Sequence, residues 1–167
     1  GRKYGVGYYT DSGATTQMTT SANPITAPTR SGYTFNGYYT AANGGTQYID
    51  ANGKLTSSAS ATNFTAAVTL YAKWTKAVSA SSITKTLSAT NYVYNGSAQG
   101  PTVTVKDGST TLTLNTDYTV SGNSNTNVNS YTVTISGKSA YNSTTKAYYT
   151  GSTTLTYNIN NAKITTT

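Results

Sequence analysis

The chain has no cysteine, no histidine and no glutamate among its 167 residues. Without Cys or His, zinc, haem and iron–sulfur ligation are excluded, and so are a Ser–His pair and a cysteine nucleophile. The only acids are Asp11, Asp50, Asp107 and Asp117. They show no D-x-D-x-D-G spacing, so a calcium loop is not expected. Asp11 and Asp107 stand in turn sequences, which argues against a paired-carboxylate hydrolase. Gly44-Gly45 is not followed by Lys-Ser/Thr and a helix, so it is not a phosphate loop. The expectation is a protein with no catalytic residues, no metal and no cofactor. Absent cysteine does not fix the compartment. No apolar run is long enough to cross a bilayer, so no membrane insertion is expected. The chain begins at Gly1 with neither an initiator Met nor a signal peptide, and reads as a mature product or a cut piece of something longer.

Charge is also scarce. Charged residues make up 9 % of the chain, and the net charge of +7 follows from too few acids rather than from many bases. The eleven Lys and Arg are scattered singly apart from Arg2-Lys3. That pattern reads as a solvated surface, with weak attraction to anionic glycans or cell-wall polymers as the alternative, and no nucleic-acid partner is expected. Neutralising all four carboxylates raises the charge only from +7 to +11. On that count, acid removes few stabilising groups and the fold should tolerate low pH.

What the chain does contain is Thr, Ser, Asn, Gly and sixteen Tyr. Thr and Tyr suit a pleated, half-buried surface, and their alternation predicts an all-β fold rather than a disordered one. Lys3–Thr10 alternates Tyr4, Val6 and Tyr8, the pattern of one strand, with Asp11-Ser12-Gly13 as a turn and residues 15–20 as its return. Pro24 and Pro28 hold the next segment extended. Ala27–Gln47 carries the densest aromatics, with turns at Asn43-Gly44-Gly45 and Asn52-Gly53 flanking a short strand at Gln47–Ile49. Residues 56–67 read as a loop, with a short helix as the alternative. Val68, Leu70, Ala72 and Trp74 alternate against Thr69, Tyr71, Lys73 and Thr75 as a half-buried strand. The block Gly7–Thr10, GYYT, recurs at Gly37–Thr40, an offset of thirty that suggests a repeated unit.

A small-residue stretch at 75–82 marks a domain boundary. Beyond it, strands follow at sandwich-like spacing. They are Ile83–Leu87, Tyr92 with Tyr94, Val103 with Val105 into Asp107-Gly108, Leu112 with Leu114, Tyr118 with Val120, Tyr131–Ile135, and Leu155–Ile159. The tail Lys163-Ile164-Thr165 echoes Ser82-Ile83-Thr84 and reads as the start of a further strand.

Two stretches resemble known modules. APTRSGYTFNGYYTAANGGTQY together with TLYAKW at Thr69–Trp74 resembles the Listeria–Bacteroides repeat, the internalin B-repeat type. That resemblance implies a small β-grasp-like module, with one short helix, on secreted or wall-attached bacterial proteins. The second half resembles the bacterial Ig-like modules of the MBG or YDG type. It does so through YVYNGSAQ at Tyr92–Gln99, TVTVKDG, NTDYTVSGNSNTNV and YTVTISGKSAY. Together the resemblances imply two small β modules in tandem. Residues 1–76 form the first and residues 77–161 an Ig-like β-sandwich, while residues 162–167 begin a further or intersubunit strand.

Two sets of residues are candidate sites. Tyr38, Tyr39, Tyr48 and Tyr71 could form an aromatic platform for sugars; their other role is core and cross-strand pairing. Lys85, Asp117 and Asn158 (or Asn160) could be staged for a Lys–Asn isopeptide bond, which would lose one ammonia. The expected function is an extracellular structural repeat of a bacterial cell surface, a stalk, spacer or filament subunit. Its partners would be copies of itself or adjoining repeats, through strand addition at its ends. The alternative is an adhesin-type module binding glycan or a host protein, with the loop at 122–129 and the Tyr38/Tyr39 region as contacts.

Overall fold

The computed structural model describes residues 2–3, 7–11, 13, 15–60 and 68–164. It is 45 % strand and 2 % helix, which makes the fold all-β. The chain divides into two compact units, Gly1–Thr75 and Lys76–Thr167.

The first unit opens with β1 (Arg2–Lys3) and β2 (Gly7–Tyr8), paired antiparallel with Arg2 opposite Tyr8. The opening block therefore folds back on itself and is not the single strand its alternation predicts. Glycine at positions 5 and 7 gives a strand interior little to pack and much entropy to lose. Tyr4 and Val6 lie outside the described residues. The return segment is joined by a bridge between Tyr9 and Gln17 and by the Met18 N–H on the Tyr8 carbonyl.

Three strands follow: β3 (Thr34–Tyr39), β4 (Gln47–Ile49) and β5 (Tyr71–Ala77), the last two residues of β5 belonging to the second unit. β3 pairs antiparallel with β4 on one side and with β5 on the other. The register slips on both sides of Gly37, which has φ +109°. A Cβ there would stand 2.2 Å from the Ile49 carbonyl oxygen, so only glycine lets the two backbones approach and the strand bulge. Between β4 and β5, Ser57–Ser60 forms one turn of helix, α1. The Thr56 hydroxyl caps it by accepting the Ala59 N–H. The rest of the segment, 61–67, lies outside the described residues. Ala59 joins Tyr8, Met18, Ile49 and Leu55 in the core, and Ile25, Tyr38, Tyr48 and Leu70 pack against them. The apolar face expected from Val68 onward starts later. Val68 is exposed, and the strand begins at Tyr71, where pairing with Tyr39 starts.

The second unit is a β-sandwich. One sheet holds β6 (Ile83–Leu87), β8 (Val103–Asp107) and β9 (Thr110–Thr111) in the order β6-β8-β9, with β7 (Asn91–Val93) going to the other sheet. That second sheet is ordered β10-β11-β14-β7, from β10 (Tyr118–Ser121), β11 (Asn129–Gly137) and β14 (Ser152–Asn160). Between β11 and β14 lie β12 (Tyr141–Asn142) and β13 (Ala147–Thr150), a hairpin in which Tyr141 faces Tyr148.

The two sheets share a core. Ile83 and Val105 come from one, Tyr118 and Ile135 from the other, and Tyr149, Val78 and Leu112 fill the space between. β11 and β14 pair over eight residue pairs, from Asn129 opposite Ile159 to Ser136 opposite Ser152. β7 then lies parallel to the far end of β14, with Tyr92 opposite Ile159. A second cluster gathers Val133, Tyr157 and Ile159. There Tyr131 stacks on Tyr157 at 5.5 Å and Tyr92 meets the same ring edge-on at 5.8 Å. These cross-strand aromatic pairs are the sheet's own stabilising units.

The strand at Ala147–Thr150 has no counterpart in the sequence reading. Its first three residues are all buried, so the period-two signature of a one-sided strand is absent. Residues 161–164 form no regular element and Ile164 is 87 % exposed; Thr165 of the expected tail strand lies outside the described residues.

Candidate functional site

The four tyrosines of the expected platform do not share a surface. Tyr38 and Tyr48 pack against the core of the first unit, Tyr38 meeting Phe35 at 5.2 Å and Tyr48 meeting Tyr8 at 6.5 Å. Tyr39 and Tyr71 are direct cross-strand partners on β3 and β5, and therefore share a face. The Lys73 ammonium, two residues along from Tyr71, lies 5.1 Å above the Tyr39 ring. Tyr71 is exposed. What remains of the platform is this pair with its lysine. In the loop at 122–129, which is largely exposed, Asn125 is tied down: it donates to the Tyr157 hydroxyl at 2.7 Å and to the Gly122 carbonyl. Its backbone also exchanges hydrogen bonds with Gln99.

Lys85, Asp117 and Asn158 are each held by other groups. The Lys85 ammonium donates to the Val78 and Ala80 carbonyls at 3.2 and 3.1 Å. Asp117 is buried and accepts the Thr113 N–H and the Asn142 amide. Asn158, on the opposite sheet from Lys85, reaches Asn91, as does Asn160. The sequence reading placed them by strand order alone, which leaves open which groups a folded sheet presents to one another.

A different lysine and aspartate do meet. Lys76 Nζ lies 2.6 Å from Asp107 Oδ1, with both side chains almost fully buried. The Tyr149 hydroxyl donates to Asp107 Oδ2 at 2.7 Å. Each of the three is positioned by its strand: Lys76 near the end of β5, Asp107 at the end of β8 opposite Ile83, and Tyr149 in β13. The chain does turn after Asp107, with Thr110 opposite it in β9 as the Asp-Gly sequence predicts, but the Asp107 side chain serves the core. In the sequence Lys76 is one of the scattered cations. The signal available beforehand was a lysine following an alternating strand in a chain with few charges, and it pointed to no partner.

The other acids also hold structure. Asp11 accepts the backbone N–H groups of Thr16 and Thr15, and these bonds hold its carboxyl below the ordinary value of 3.8. Asp50 accepts the Asn52 and Lys54 N–H groups across the Asn52-Gly53 turn. Four acids are few, but each ties down a turn or a core, so their number understates what acid removes. Among the described residues no group of three or more acids, His or Cys is placed to hold a metal ion, and no helix is long and apolar enough to cross a membrane.

Comparison of the chain with protein-family models, with curated proteins and with solved structures finds no match.

Proposed function

We propose that the chain is a tension-bearing segment of an extracellular bacterial protein, a stalk, spacer or filament subunit built from β modules in tandem. The Listeria–Bacteroides-like and Ig-like resemblances of its two halves support the location and the tandem arrangement. The observation that carries the mechanical reading is how β14 is held. The chain enters the second unit beside the start of β14, where the Val78 N–H donates to the Thr150 carbonyl, and runs on past Asn160 at the end of β14. Tension therefore acts along a strand of nine residues, roughly 30 Å. Its hydrogen bonds to β11 and to parallel β7 are loaded sideways and together, instead of one at a time.

The absence of native cysteine makes the test direct. Handles at Ser79→Cys and Asn161→Cys pull along β14; handles at Lys138→Cys and Ser152→Cys peel β11 from β14 at one end. The expected result is a rupture force several-fold higher in the first geometry. Equal forces would overturn the mechanical reading. Antibody against the second unit should label intact cells that make the protein; labelling only after permeabilisation would overturn the surface location.

A second reading, an adhesin-type module, is favoured by the pairing of exposed Tyr71 with half-buried Tyr39, which has Lys73 above its ring. It predicts binding on a glycan array that Tyr71→Ala abolishes.

A further inference from the structure

We propose that Lys76 and Asp107 condense to an intramolecular amide, a covalent staple inside the second unit. The two groups sit within hydrogen-bonding distance, 2.6 Å, at a site less than a tenth exposed. Val78, Ile83, Val105 and Tyr149, all at most 1 % exposed, belong to the same core. A buried ion pair gains little over its desolvation cost, and an apolar surrounding favours neutral partners over charged ones. Moving one proton from the ammonium to Asp107 Oδ1 gives an amine beside a carboxylic acid.

The nitrogen lone pair then attacks Cγ, and the C–N bond forms. Negative charge develops on Oδ2, where the Tyr149 O–H already donates, as a preorganised donor should. The Cγ–Oδ1 bond breaks, and Oδ1 leaves as water, carrying the first proton and a second from the attacking nitrogen. A neutral zwitterionic pair becomes a neutral amide plus one water, with no oxidant or co-reactant. Holding the reactants in the fold supplies the effective concentration that such a condensation lacks in free solution. The staple would fix the first residue of the second unit to the end of β8. It is independent of the tension-bearing reading, since it concerns one bond and not a location.

Intact mass of the denatured chain reads the bond directly, with an expected deficit of one water. Asp107-Gly108 can lose the same mass by closing on its own backbone as an imide, so mass alone is insufficient. Tryptic mapping separates the two. The amide blocks cleavage after Lys76 and yields a branched peptide joining residues 74–85 to residues 107–138. A full mass, or a deficit confined to residues 107–138 without the branch, overturns the proposal. Lys76→Arg should restore the full mass; a deficit that persists in it assigns the loss to the imide and also overturns the proposal. Tyr149→Phe, which keeps the ring, should slow closure several-fold after refolding, and an unchanged rate would remove Tyr149 from the reaction. If a variant fails to fold, the branched peptide of the unsubstituted chain decides alone.

Discussion

The first unit gathers Tyr8, Met18, Ile49, Leu55 and Ala59 around strands of six and three residues, with α1 a single turn. The second sets two clusters of almost wholly inaccessible side chains behind a pair of nine-residue strands. In the first, shape depends on local devices: Gly37 at a bulge, Gly53 at a turn, Asp11 and Asp50 gathering backbone N–H groups. In the second, it depends on long ladders and on buried polar clusters around Asp107 and Asp117. Short strands cannot bury enough to hold register unaided, so turn chemistry has to do it; long ladders relax that requirement.

The comparison implies that substitutions should act on one unit and leave the other alone, and the sole tryptophan makes this measurable. Trp74, against Phe35 at 5.5 Å, reports on the first unit, while circular dichroism reports on both. The largest effect is expected for Asp107→Leu, which removes the carboxylate facing the buried Lys76 charge. The second unit should lose at least about 3 kcal/mol in urea unfolding while the Trp74 transition stays in place. If both transitions move together, the units are not independent. Gly37→Ala should do the reverse. Its unfavourable backbone angle and the clash with Ile49 predict a loss of ~2–3 kcal/mol in the Trp74 transition only. Ile135→Val removes one methylene from the core of the second unit and should cost about 1 kcal/mol there.

The smallest effects concern pH and have opposite signs in the two units. Asp11 titrates below 3.8 in the folded chain, so its contribution is present above that value and is lost as pH falls through the folded one. The Thr15 and Thr16 amide resonances should follow this titration, with a midpoint below 3.8. In the second unit, burial raises the Tyr118 hydroxyl above 10.0. Past pH 10.0 the unfolded chain gives up this proton before the folded one does, so stability should fall as pH rises further. An amide midpoint at or above 3.8 would sever Asp11 from the turn it is seen to hold.

Most strands of the second unit were legible because their side chains alternate. Ile83–Leu87 and the span from Tyr131 to Ile135 turn every other residue toward the interior, and alternation is the trace this leaves in a sequence. Tyr148 and Tyr149, buried side by side, leave no such trace. The opening block misleads for a related reason: alternation registers which residues face inward, not where the chain reverses. The tyrosine platform failed on the pleat itself. Tyr38 and Tyr39 are neighbours on β3, and successive side chains of a strand point to opposite faces, so the two could not share one surface. The Lys76–Asp107 pair was invisible because thirty-one positions separate its members and neither carries a local signature. Long-range electrostatic pairing becomes visible only once strand order is known.

That same pair has a consequence for length. Lys76 and Asp107 close a loop that contains β6, β7 and the strand leading to Asp107. While the pair holds, the thirty residues between them, 77–106, cannot be drawn out to full length. Released, they would add roughly 110 Å of extended chain. The second unit thus stores a reserve of reach, whose release depends on a single lysine and a single aspartate.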